Sequence, residues 1–333
     1  MVMAKRLVYL DIAKALCIIL VVIGHYSPDG FPEWWMAVHD FIYTFHMPLF
    51  MFASGFVYIA TKRDGEKYGD FIMKKVKRLM IPYFVVSAII IGIKLLTESH
   101  MYVENPKTVM SFVKIFYYPE AGFFLWLIWA LWWMFVIVPV FKTKQQRLVL
   151  FAISILLHYV PFATTEVFCI SQFKNMLIFF MLGVTVYDWR GYLSAFDRVP
   201  KEAYLTAFAI AYVISVAPVG GWGYLASTKY LLSFLGIAAV ISLSKMIEQS
   251  KLENDWLMVT SASSYIIYLF HTTFEGFAKA LVFKLPYLKN INDSGMFLIG
   301  AVFVVACGVI IPIILNEKVF KKYTATKVLF GLK

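Results

Sequence analysis

The chain has 333 residues, 61% of them hydrophobic and 15% charged, with a mean hydropathy of +0.74. A water-soluble domain of this length carries about a quarter charged residues. Composition therefore excludes a soluble enzyme and predicts an all-α polytopic membrane protein. The net charge of +11 would point to nucleic acid only if it were clustered as a footprint. Its distribution argues for topology instead, and no nucleic-acid partner is expected.

Apolar windows of about 17–25 residues occur at ten places: 7–27, 39–60, 80–96, 123–141, 148–161, 174–189, 203–219, 229–247, 258–283 and 296–315. With the N-terminus inside, one set of loops carries Lys62, Arg63, Lys67, Lys74, Lys75, Lys77 and Arg78, then Lys142, Lys144 and Arg147. The opposite loops carry Asp29, Glu33, Asp40, Glu98, Glu104, Glu120, Glu166 and Asp293. That bias predicts about ten transmembrane helices with both termini cytoplasmic. Asp11 and Lys14 interrupt the first apolar run and no small-x-small site follows it, so a retained span is expected rather than a cleaved signal peptide. Cys17, Cys169 and Cys307 show no ligand spacing, and neither a disulfide nor a metal site is expected. No repeat or linker is seen, so residues 1–333 read as one domain with a core over 6–315, a basic cytoplasmic tail over 316–333 and no appended soluble domain.

In the first span, Asp11 and Lys14 are three apart and share a helical face. Lys14 and His25 are eleven apart, close to three turns and about 16 Å along the axis. Intramembrane ionisable groups usually face a cavity or one another, which makes the stripe a candidate site. A structural ion pair and an interfacial histidine stay open as alternatives. The second span, "FIYTFHMPLFMFASGFVY", places His46 near the depth of His25, with a kink expected at Pro48. The segment "TKRDGEKYGDFIMKKVKRLMIPY" is the densest basic stretch. Lys74, Lys75, Lys77 and Arg78 there suit a polyphosphate, or simply anionic lipid. The segment over 98–122, with Glu120, is long for a connector and could wall an acceptor site. Trp126, Trp129 and Trp133 recur at helical spacing, as a packing face or a sugar platform. The ninth span, "SSYIIYLFHTTFEGF", carries His271 near mid-membrane and Glu275 one turn on, placed to orient it.

Taken in order, "RLVYLDIAKALCIILVVIGHY", "FHMPLFMFASGF", "KKVKRLMIPY", "LWLIWALWW" and "SSYIIYLFH" resemble the acyltransferase-3 family of membrane O-acyltransferases, most closely its fucose 4-O-acetylase-like branch. The resemblance covers about residues 6–315. It implies a multi-pass enzyme of the bacterial cytoplasmic membrane. Such an enzyme moves an acetyl group from cytoplasmic acetyl-CoA, a co-substrate, to a hydroxyl of a cell-surface polysaccharide or lipid-linked sugar. The family's essential histidine falls on His25, its upstream arginine on Lys14, and its Arg-x-x-Arg on Lys75-Val76-Lys77-Arg78; its Trp-Phe reads Trp126-Leu127 here. The expected catalytic set is His25, His46 and Asp11; Lys14, Lys74, Lys75 and Arg78 would hold the donor, and His271, Glu275, Glu120 and Trp126 the acceptor. The expected partners are a glycan acceptor, CoA and membrane lipid. A succinyl donor, a glycolipid or small-molecule transporter and homo-oligomerisation stay open.

Overall fold

In hydrocarbon no water satisfies backbone N–H and C=O groups, so long apolar segments close their hydrogen bonds internally as helices. The computed structural model follows this rule: every regular element among the described residues is helical. Those residues are 7–28, 31–63, 65–98, 105–160, 165–192, 196, 198–216, 226–252, 255–285 and 293–332, with the side chains of 226–228 excepted. Asp29 and Glu104, used in the charge argument, lie outside them.

The helices are α1 (Val8–His25), α2 (Glu33–Tyr43), α3 (His46–Ala60), α4 (Tyr68–Lys75), α5 (Ile81–Thr97), α6 (Ser111–Lys114), α7 (Trp126–Ile137), α8 (Lys144–Tyr159), α9 (Ile170–Asp188), α10 (Lys201–Val216), α11 (Ala226–Gln249), α12 (Asp255–Val282), α13 (Ser294–Leu315) and α14 (Thr324–Leu329). Seven segments are long and apolar enough to cross a membrane: Val8–His25, Glu33–Ala60, Tyr68–Thr97, Phe123–Val140, Val167–Asp188, Lys229–Gln249 and Ser294–Phe320. The protein is thus a multi-pass membrane protein. Helices α8 and α10, at 16 residues each, are short of a full span. The 28-residue α12 is long enough, but its serines, threonines and His271 dilute its apolar character.

The chain divides into two compact units, residues 1–57 with 189–314 and residues 58–188 with 315–333. In the first unit α1 packs along α12 and α11, and α10 along α11. The second expected span is broken between α2 and α3, at Thr44 and Phe45 rather than at Pro48. Pro48 is only the third residue of α3, where a backbone N–H would have no intrahelical partner anyway. The groups freed by the break find side chains instead. The Ser233 hydroxyl donates to the Thr44 carbonyl at 2.5 Å, and the Cys17 thiol to the His46 carbonyl at 3.0 Å.

In the second unit the basic stretch is helical and continuous with the third span, α4 running into α5 through a π-helical turn at Val76–Met80. A second π-helical turn, Asn316–Phe320, follows α13. The Tyr83 hydroxyl, fully buried on α5, lies 2.8 and 3.0 Å from the carbonyl oxygens of Ile115 and Tyr118 and anchors that connector. Thr143 and Gln146 form a reciprocal cap at the start of α8. Behind it Arg147 grips Asp188 with two bonds, Nε to Oδ2 at 2.7 Å and a terminal nitrogen to Oδ1 at 2.9 Å. Both side chains are almost fully buried, so Arg147 is more than one of the loop charges that set topology.

Candidate active site

The polar stripe of α1 is intact. Lys14 Nζ lies 2.7 Å from Asp11 Oδ1, and the Ser261 hydroxyl of α12 donates to the same oxygen at 3.2 Å. At the far end of α1, His25 meets His271 of α12 with ring centroids 4.9 Å apart. The residues numbered upward on each helix meet in the same order, so α1 and α12 run parallel. Each carries its polar residues along the line where they touch. The side chains singled out on α1, α3 and α12 therefore belong to one unit.

Two of the histidines are held in defined tautomers by main-chain carbonyls. His271 is completely buried, and its Nδ1 lies 2.8 Å from the Tyr268 carbonyl and 3.1 Å from that of Ile267. A carbonyl accepts but cannot donate, so Nδ1 carries the proton and Nε2 is the basic nitrogen. His46 is the same case, with Nδ1 2.7 Å from the Ile42 carbonyl. The main chain, rather than Glu275, thus fixes the Nδ1 side of His271. Glu275 is 2% exposed, and its Oε1 has no hydrogen-bond partner among the described residues. It is packed against α13 at Gly308, where an added Cβ would come 2.8 Å from Val22 Cγ1 and 3.0 Å from Glu275 Cγ.

Two aromatic groups not anticipated from the sequence complete this end. Tyr43 stacks on His39 at 4.0 Å, meets the His46 ring at 4.6 Å and directs its hydroxyl to the Gly24 carbonyl at 3.4 Å. His39, Tyr43 and His46 are four and three residues apart, a helical face that was legible in principle. Immediately after His25, Tyr26 joins Trp35, Phe297, Ala301 and Val304 in a buried apolar cluster, with the Trp35 indole donating to the Tyr26 carbonyl at 2.8 Å. The polar chemistry is therefore walled by aromatic side chains, in a setting of low dielectric that strengthens each polar contact.

The remaining expected residues lie in the second unit. Lys74 pairs with Glu66. Lys75 places its ammonium 3.6 Å from the Phe135 ring centroid and 5.1 Å from that of Phe71, a cation–π seat. Lys77 borders a shallow depression with Asp70, Met73 and Lys74, and Arg78 follows in the π-helical turn. Glu120 accepts from the Ser111 hydroxyl at 3.1 Å and lies 3.5 Å from Lys107 Nζ. Trp126 opens α7 half-buried. Trp129 is buried against Tyr83, and the Trp133 indole donates to the Phe168 carbonyl. No group of three or more His, Cys, Asp and Glu side chains among the described residues could hold a metal ion.

The family described as "acyltransferase domain", acyltransferase-3, matches residues 7–317. A nodulation protein, NolL, of Mesorhizobium japonicum is 26% identical over 225 residues, covering 64% of this chain and 56% of that protein. The chain thus spans little more than half the length of that relative. No solved structure matches.

Proposed function

The chain belongs to the acyltransferase-3 family, and from that premise we propose that it is a membrane O-acetyltransferase with His25 as its general base. The observation that carries the reading is the meeting of half-buried His25 with fully buried His271 on the line of contact between α1 and α12. In this reading the donor is acetyl-CoA, and the acceptor is a hydroxyl of a cell-surface polysaccharide or a lipid-linked sugar. The location is the bacterial cytoplasmic membrane with both termini cytoplasmic.

Imidazole suits the task because its ordinary pKa lies near the operating pH. His25 removes the sugar hydroxyl proton as the oxygen attacks the thioester carbonyl. The carbon–sulfur bond then breaks, and the imidazolium returns the proton to the departing thiolate, giving the acetyl ester and CoA. His271, fixed by its own helix, holds the His25 ring in its reactive orientation. Tyr43 and His46 support the same end. Asp11, Lys14 and Ser261 keep the lower stripe polar, a route for the uncharged pantetheine arm. Lys77 and Arg78, with Lys74 and Lys75, supply the charge for the CoA phosphates. Glu275 is an acceptor-binding group, having a carboxylate oxygen without a partner among the described residues. Glu120 is assigned to the acceptor side because the segment over 98–122 is long for a connector, and Trp126 on its helical face and its place in the family's pattern.

Purified protein supplied with labelled acetyl-CoA tests the reading: CoA must be released only when a sugar acceptor is present. His25→Ala protein that inserts normally and acetylates at the full rate would remove His25 from the mechanism.

A further inference from the structure

We propose that the C-terminal tail forms the second wall of a phosphate-binding cleft, placing Lys322 and Lys327 beside Lys77 and Arg78. This deepens the reading above, since it rests on Arg78 lying at the donor's phosphate end. All of these residues belong to the second compact unit.

The docking of the tail is specific. Helix α14 ends in a Schellman motif: Leu332 N–H bonds the Lys327 carbonyl at 2.8 Å and Gly331 N–H bonds that of Val328 at 3.4 Å. Gly331 takes the left-handed conformation this motif needs, with φ +64. It also sits directly on the basic turn, where a Cβ would come 2.6 Å from the Arg78 carbonyl oxygen and 2.9 Å from Pro82 Cγ. Glycine is required there twice over, for its φ and for its lack of a side chain. The next contacts hold the tail to the second π-helical turn. Phe330 packs on Phe320 at 4.2 Å, both buried, and the Thr326 hydroxyl lies 2.8 Å from the Phe320 carbonyl. The tail therefore clasps both π-helical turns of the unit, a distortion that recurs at functional sites.

Charge supplies the independent observation. Lys74 is neutralised by Glu66 and Lys321 by Glu317. Lys77, Arg78, Lys322 and Lys327 form no ion pair among the described residues. Gly331 itself lies against Arg78, and the motif ties Lys327, four residues before it, to Leu332. Like charges gathered in this way repel one another, and a ligand of two or more phosphate charges offsets that repulsion. Arg78 offers a planar fork for phosphate oxygens, and the lysines offer point charges. The ligand chemistry is a phosphate group, carried either by the CoA nucleotide or by an anionic lipid headgroup.

The test uses the full-length protein in nanodiscs of phosphatidylcholine, with CoA as the probe. Gly331→Ala changes no charge, yet lifts the tail from Arg78. It should weaken CoA binding about three- to tenfold, as should Lys322→Gln combined with Lys327→Gln, the size expected for two partly exposed ion pairs. A parallel arm measures retention of fluorescent phosphatidylglycerol by the same variants. Weakened CoA binding identifies the nucleotide as the source. Loss of phosphatidylglycerol retention alone identifies the headgroup. If neither ligand is affected by the tail variants, the proposal is overturned, and a loss of CoA binding in Arg78→Glu then shows that the donor-site reading survives it. If Arg78→Glu leaves CoA binding intact, the donor-site reading fails, and the phosphatidylglycerol arm alone decides the tail.

Discussion

If His271 acts through His25, the two must be energetically coupled, and a double-mutant cycle measures the coupling. His25→Ala removes the proposed base and should lower kcat/KM by about 10²–10⁴, the usual range for general-base catalysis. His271→Phe keeps an aromatic ring of similar bulk beside His25 but removes both nitrogens. His271 Nδ1 is already committed to the Ile267 and Tyr268 carbonyls, so what His25 loses is one neutral polar neighbour at a ring distance of 4.9 Å. A polar ring contact of this kind is worth less than a hydrogen bond, about 1 kcal/mol at most, which corresponds to roughly a fivefold loss in rate or less. The double variant should then be no slower than His25→Ala alone, because a positioning residue has nothing left to position. The assay is acceptor-dependent CoA release, normalised to protein recovered in the membrane. Additive losses, with the double variant slower than His25→Ala by the full His271 factor, would refute the coupling.

Three further outcomes follow from named contacts. Asp188→Asn leaves the Arg147 guanidinium buried without its counter-charge and should destabilise the protein by about 3–5 kcal/mol. Arg147→Met with Asp188→Leu should cost far less, and thermal unfolding in detergent compares the two. Gly308→Ala drives a methyl group into Val22 and Glu275; a loss of about 1–3 kcal/mol should accompany reduced turnover, measured on the same sample. Lys75 is seated over Phe135, whereas Arg78 has no ion pair among the described residues. Lys75→Gln should therefore raise the KM for acetyl-CoA less than Arg78→Gln does, and the reverse order in steady-state kinetics would contradict that seat.

The periodic features were readable from the chain because they depend on local chemistry. The Asp11–Lys14 pair needs only a spacing of three on a helix, and the shared face of His271 and Glu275 only a spacing of four. The meeting of His25 with His271 spans nearly the whole chain and has no local signature. Tyr43 shares a helical face with His46 at a spacing of three, but its hydroxyl partner lies on α1, which spacing alone does not reveal. The break itself was expected at Pro48, since proline is the obvious local signal. Its actual place is fixed by partners on α1 and α11, Cys17 and Ser233, which no local rule reaches. Arg147 read as one more topology charge for the same reason: its carboxylate partner is 41 residues away.

That last pairing bears on how the chain is made. Helices α8 and α9 pack against each other, and Arg147 and Asp188 stand at the same end of the hairpin. Arg147 emerges from the ribosome first, and Asp188 follows 41 residues later. Until both helices exist the guanidinium has no carboxylate to neutralise it, and burying it alone costs several kcal/mol. The clamp can therefore close only after the second helix of the pair is made, so packing at this end of the unit waits for α9.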